Sequence, residues 1–95
     1  MQRMKNLRKK IRVHVVDSDI DEAVRGRSDS CPVALAVSRT TGWKAKVDYD
    51  GVILLAPNDN RYAYYNLPNE VGAFMSSYDA GVRPKEIKFT MVRVA

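Results

Sequence analysis

Cys31 is the chain's single cysteine, and it stands directly before Pro32, where the apolar run "CPVALAV" begins. A residue preceding proline is pushed away from helical dihedrals, and proline suits the first helical position. Cys31 or Ser30 therefore becomes the helix cap, with the sulfur among unpaired backbone N–H groups. Such a position depresses a thiol pKa and sharpens its nucleophilicity, and Arg25, Arg27 and Arg39 can add positive potential. Hydrolysis through that thiol also requires a histidine base, and His14, in an early strand-like stretch, is the one histidine. A redox couple requires a second cysteine, which the chain lacks. Free cysteine is among the most buried residue types. Packing is thus the favoured reading of Cys31, with a thiol enzyme or redox sensor as the alternative.

Asp17, Asp19 and Asp21 in "DSDIDE" are spaced like the opening of a calcium loop. Position six of that loop must be glycine and position twelve glutamate, whereas this chain has Glu22 and Ser28 there. Helix capping explains the acids better. One cysteine and one histidine cannot complete a Cys/His zinc cage, and neither a glycine-rich phosphate loop nor a nucleophile elbow occurs. The sequence assigns no catalytic residue, no metal ligand and no cofactor.

Binding chemistry is better represented. In "RYAYYNL", Tyr62 and Tyr64 share one face of a strand while Ala63, Tyr65 and Leu67 share the other. If the second face is core, two tyrosines are left outside near Lys44, Lys46 and Arg61. They can stack nucleic-acid bases, anchor a protein partner, or form ordinary cross-strand pairs. The leader "MQRMKNLRKKIR" carries Arg3, Lys5, Arg8, Lys9, Lys10 and Arg12 without one acid. Basic arms bind phosphate backbones, but Met1, Met4, Leu7 and Ile11 also fit a helical stripe, and many such tails only solubilise. The candidate nucleic-acid or partner-binding set is Arg3, Lys5, Arg8, Lys9, Lys10, Lys44, Lys46, Tyr62 and Tyr64.

The elements that must position these residues read clearly. "IRVHVVD" alternates as a strand. "DSDIDEAVRG" reads as a short helix with Ser18 as N-cap, Asp21 in capping-box position and Gly26 as its stop. "CPVALAVSRTTG" is a second helix ending at Gly42, beyond which Trp43 folds back. Trp43 to Tyr49 alternates as a strand, Asp50-Gly51 signals a two-residue hairpin, and Val52 to Ala56 returns as an internal strand. "YAYYNL" follows after a turn. The third helix has Pro68 at its first position, Val71, Phe74, Met75 and Tyr78 on one face, and Gly81 at its end. Ile87, Phe89 and Met91 share one side of a closing strand.

The resulting order β-α-α-β-β-β-α-β implies a two-layer α+β domain, a mostly antiparallel sheet with helices on one face. Ninety-five residues permit one domain, here residues 11–95 behind a basic arm, 1–10. Net charge is +5, with 16 basic and 11 acidic residues. The six cations of the leader account for all of that excess, so the remainder has 10 basic against 11 acidic residues, a balance of −1. By charge count the body is not a basic fold, although clustering in space can still make a patch. The absence of a long apolar run excludes a membrane span, and the lone cysteine fits a reducing cytoplasm.

The stretches "DIDEAVRG", "SCPVALAVSRTTG", "YNLPNEVGAFMSSYDAG" and "IKF", within about residues 11 to 90, resemble a loose group of short uncharacterised proteins of bacteriophages and mobile elements. That resemblance implies no enzyme, cofactor or assigned active site. It implies a cytoplasmic protein of a bacterial host that binds a host protein or a protein–nucleic-acid complex, including as an inhibitor of a defence system. Expectation therefore centres on a small non-enzymatic binding protein acting through a sheet face or edge. The alternative is a nucleic-acid-binding protein using the arm and exposed tyrosines.

Overall fold

The computed structural model describes residues 6–48 and 50–94. Five strands and three helices follow in the expected order: β1 (Lys10–Val15), α1 (Asp17–Glu22), α2 (Pro32–Thr41), β2 (Lys44–Val47), β3 (Gly51–Leu55), β4 (Tyr62–Asn66), α3 (Asn69–Asp79) and β5 (Ile87–Arg93). All pairings are antiparallel, in the spatial order β1-β5-β4-β3-β2. β2, β3 and β4 form a meander, while the two terminal strands pair from Lys10↔Val92 to Val15↔Ile87. The pairs Tyr65↔Arg93 and Asn66↔Val92 join the two parts, extended by the Val94 N–H donating to the Tyr64 carbonyl at 2.8 Å. The sheet consequently curls, and the β1–β5 ribbon runs on past the meander.

Side chains alternate across this sheet with period two. Ile11, Val13, Val15, Ala45, Val47, Val52, Leu54, Ala63, Tyr65, Phe89 and Met91 are buried on one face. Against them pack the apolar faces of the helices, chiefly Val33, Ala34, Ala36 and Val37 of α2 and Val71, Phe74, Met75 and Tyr78 of α3, in one continuous core. The helices take one face only, and among the described residues no element covers the other.

Four capping details differ from the sequence reading. α1 begins two residues early, with Val16 rather than Ser18 as N-cap, because Asp19 reaches back and accepts the Val16 N–H at 2.9 Å. Asp19 is buried, and its carboxylate also receives the Arg39 guanidinium at 2.8 Å; a second Arg39 contact, at 2.8 Å to the His14 carbonyl, ties α2 to β1. Asp21, cast as the capping-box partner, instead binds Arg83 at 2.6 Å. α1 then stops at Glu22 with Ala23 extended, so Gly26 serves a later turn at φ 81° rather than the helix end. Pro68 stands one place outside α3, as its N-cap. Gly42 does end α2 in the left-handed region, φ 77°, and its N–H donates to the Ser38 carbonyl.

The β2–β3 hairpin forms, but its turn chemistry is different. Asp48 accepts the N–H groups of Asp50 and Gly51 at 2.9 and 2.8 Å, an Asx-type closure. Gly51 already belongs to β3 and does not have a positive φ. What demands glycine there is space: a Cβ at Gly51 would stand 2.5 Å from the Tyr64 hydroxyl and 2.7 Å from its ring carbon Cζ.

Candidate binding face

The uncovered face of the sheet is built by the residues that alternate with the core. Antiparallel partners project to the same side, so the register fixes its rows. One row reads Lys44, Leu55, Tyr62 and the next Lys46, Ile53, Tyr64. Further rows run from Gly51 through Asn66 and Val92 to Lys10, then pair Thr90 with Arg12 and Lys88 with His14. At about 4.8 Å between strands, each lysine of β2 lies roughly 10 Å from the tyrosine of its row. Tyr62 is 69 % exposed, and Ile53 and Val94 are also open to solvent. Tyr64 is half-buried because its phenol end lies over Gly51. The face thus has aromatic and aliphatic side chains on β3 and β4, with Lys44 and Lys46 along the β2 margin and Lys10, Arg12 and Lys88 along the ribbon that runs past the meander.

Not one strand of the sheet contains a carboxylate. At the corners of the open face, Asp48 is held by turn amides, and Glu86 accepts both the Asp17 N–H and a hydrogen bond with His14 Nε2 at 3.2 Å. Acids gather on the helical side instead, where Asp17 and Asp21 meet Arg83 and Asp19 meets Arg39. The near-neutral body is therefore electrically polarised: lysines on the bare sheet, aspartates among the helices. A charge count over the chain averages this away.

Lys44, Lys46, Tyr62, Tyr64 and Lys10 of the expected set are brought together on this face. Arg8 and Lys9 lie beside it in exposed positions. Their backbone is fastened to the sheet, since the Tyr65 hydroxyl donates to the Arg8 carbonyl and the Arg93 N–H donates to the Lys9 carbonyl. Arg3 and Lys5 lie outside the described residues. Arg12 and Lys88 were not in the set, yet they belong to the face. The alternation that buries Ile11, Val13 and Val15 already signalled the direction of Arg12.

Both sheet edges are engaged. On the β2 edge, the Ala45 N–H donates to Ser38 Oγ at 3.1 Å and the Val47 N–H to the Ser28 carbonyl at 2.9 Å. At the β1 edge, the His14 carbonyl is taken by Arg39. Partners of this kind oppose the addition of a foreign strand along β2 and at the His14 end of β1.

The thiol is arranged differently from a nucleophile. Cys31 caps α2, its Sγ accepting the Ala34 N–H at 3.4 Å. It lines a shallow cleft of about 190 Å³ with Met75, Tyr78 and Asp79. Burial pushes the thiol pKa up, opposed by the Ala34 and Val33 N–H groups, and the Asp79 carboxylate raises it further. The three arginines whose charge would lower it are occupied elsewhere: Arg25 over the Tyr78 ring, Arg27 on Asp29 and Arg39 on Asp19. His14, on the open face, is separated from Cys31 by the sheet. At pH 7 the thiol is protonated, and alkylation of Cys31 by iodoacetamide is expected to run slower than that of free cysteine. Because its folded pKa is raised, its stabilising contribution is complete below the unfolded thiol pKa and declines as pH rises through the folded one. Alkylation at pH 7 faster than the free thiol would contradict this arrangement.

Gly51 offers a direct handle on Tyr64. Gly51→Ala must push the phenol away, and since the obstructing atoms are the end of a rotatable side chain, the expected stability cost is about 1 kcal/mol or less. Tyr64 ring resonances should shift while the core methyl resonances stay in place.

Among the described residues, none of the groupings of His, Cys, Asp and Glu could hold a metal ion, and no helix is long and apolar enough to cross a membrane. Comparison with protein-family models, curated proteins and solved structures finds no match to this chain.

Proposed function

We propose that this protein binds single-stranded nucleic acid on the uncovered sheet face, without catalysis. The observation that carries the reading is the face itself: Lys44 and Lys46 flank Ile53, Tyr64 and Tyr62, while Lys10, Arg12 and Lys88 continue the same face along the β1–β5 ribbon, and the strands hold no acid. The cations of this face suit a phosphate backbone, and its rings suit unstacked bases. A duplex conceals its base faces and would leave the tyrosines unused. The bases would be held by stacking rather than by edge hydrogen bonds, so preference among sequences is expected to be weak. In the setting implied by the resemblance to small phage proteins, the chain would cover nucleic acid that a bacterial defence system must reach.

Fluorescence anisotropy with one labelled oligonucleotide, single-stranded and as a duplex, beside a labelled acidic protein, tests the reading. Binding of the single strand in preference to the duplex is the expected result. Binding of the acidic protein alone would move the assignment to a protein partner and overturn it.

A further inference from the structure

At one end of the sheet lies a groove of about 360 Å³, lined by Asn6, Leu7, Trp43, Asn60, Arg61, Tyr62 and Arg93. Tyr62 belongs to both the groove and the open face, so the two surfaces are continuous. Tyr62 is 69 % exposed, whereas Trp43 is only 5 % exposed. The Arg61 guanidinium stands 5.4 Å from the Trp43 ring centroid, and its Nε is 2.9 Å from Asp59. Stacking and pairing hold this cation in place at the groove wall. Arg93 lies opposite Tyr65 in the register, with its backbone pinned to Lys9. Among the described residues, the groove lining comprises two guanidinium cations, an open aromatic ring, two amide side chains and the apolar Leu7 and Trp43, with no carboxylate.

We infer that this groove is a nucleotide subsite, in which a base stacks on Tyr62 and its phosphate lies toward Arg93 and Arg61. Planar guanidinium groups suit phosphate oxygens, a base offers its face to Tyr62, and Asn6 and Asn60 supply donors and acceptors for a base edge. The volume is in the range of small-ligand sites. The inference rests on the proposed use of the sheet face, for which the groove supplies a defined end.

Trp43 is the chain's one tryptophan, so its fluorescence reports the groove directly. Titration with a nucleoside monophosphate, a single-stranded oligonucleotide and inorganic phosphate separates the possibilities. Quenching by the first two is expected, weakened about tenfold by Tyr62→Ala and also weakened by Arg93→Gln. If inorganic phosphate changes the emission equally at equal concentration, the site is one for anions and the nucleotide assignment falls. If the oligonucleotide binds without altering Trp43 emission, and Arg93→Gln binds it as tightly, the groove is refuted while the face reading survives. Quenching by the monophosphate without any oligonucleotide binding would support the groove and refute the face.

Discussion

Truncating Tyr65 to alanine is expected to lower unfolding free energy by about 3–5 kcal/mol, the range for removing a large aromatic side chain from a packed core. Tyr65 has no exposed surface and sits in β4, the middle strand. It is one of two residues of that strand paired with β5. Its ring therefore supports the point where the meander and the β1–β5 ribbon meet. Domains of this size have only about 5–15 kcal/mol in total, so Tyr65→Ala should lie near the limit of folding. Tyr65→Phe separates the packing from the hydroxyl: losing the hydrogen bond to the Arg8 carbonyl should cost only about 1 kcal/mol. Urea denaturation of both variants checks the pair. Equal losses would mean that the hydroxyl, and not the ring, carries the junction.

The second large effect concerns binding. Replacing Lys10, Arg12, Lys44, Lys46 and Lys88 together by glutamine should weaken single-strand affinity by at least about a hundredfold at 50 mM salt, because each phosphate contact contributes through counterion release. All five side chains are exposed on the sheet and make no packing contribution to the core, so the far-ultraviolet circular dichroism spectrum should be unchanged. Retained affinity in a folded variant would remove the role assigned to the face.

Much of this architecture was legible in the residues. Period-two alternation in "IRVHVV" and "YAYYN" and the apolar face Val71, Phe74, Met75, Tyr78 gave the elements, their order and their buried sides. Local chemistry was less legible wherever a distant partner decided it. Asp19 moved the start of α1 because burial beneath Arg39 of α2 favours that carboxylate over Ser18. Gly51 resembled a turn glycine, and only the cross-strand approach of Tyr64 shows its actual constraint. The site divided along the same line. Lys44, Lys46, Tyr62 and Tyr64 came from strand alternation, whereas uniting them with Lys10, Arg12 and Lys88 required the order β1-β5-β4-β3-β2. A linear charge count could not reveal the polarity, because sheet and helices cancel in the sum. The lack of acid in every strand follows from β2 ending at Val47, before the Asp48 that the alternating stretch Trp43 to Tyr49 contains, and its meaning depends on all the outward strand positions sharing a single bare face. Trp43, Arg61 and Arg93 come from three separate segments, and nothing in their spacing announces a groove.

The most direct test of the face is the salt dependence of oligonucleotide binding, measured for the native chain and for Lys44→Gln/Lys46→Gln. Five phosphate contacts predict a slope of log affinity against log salt near −3.5, or about a hundredfold loss between 50 and 200 mM. Removing two contacts should bring the slope down by about 1.4. An unchanged slope in the double variant, or native binding indifferent to salt, would contradict phosphate recognition by the open sheet.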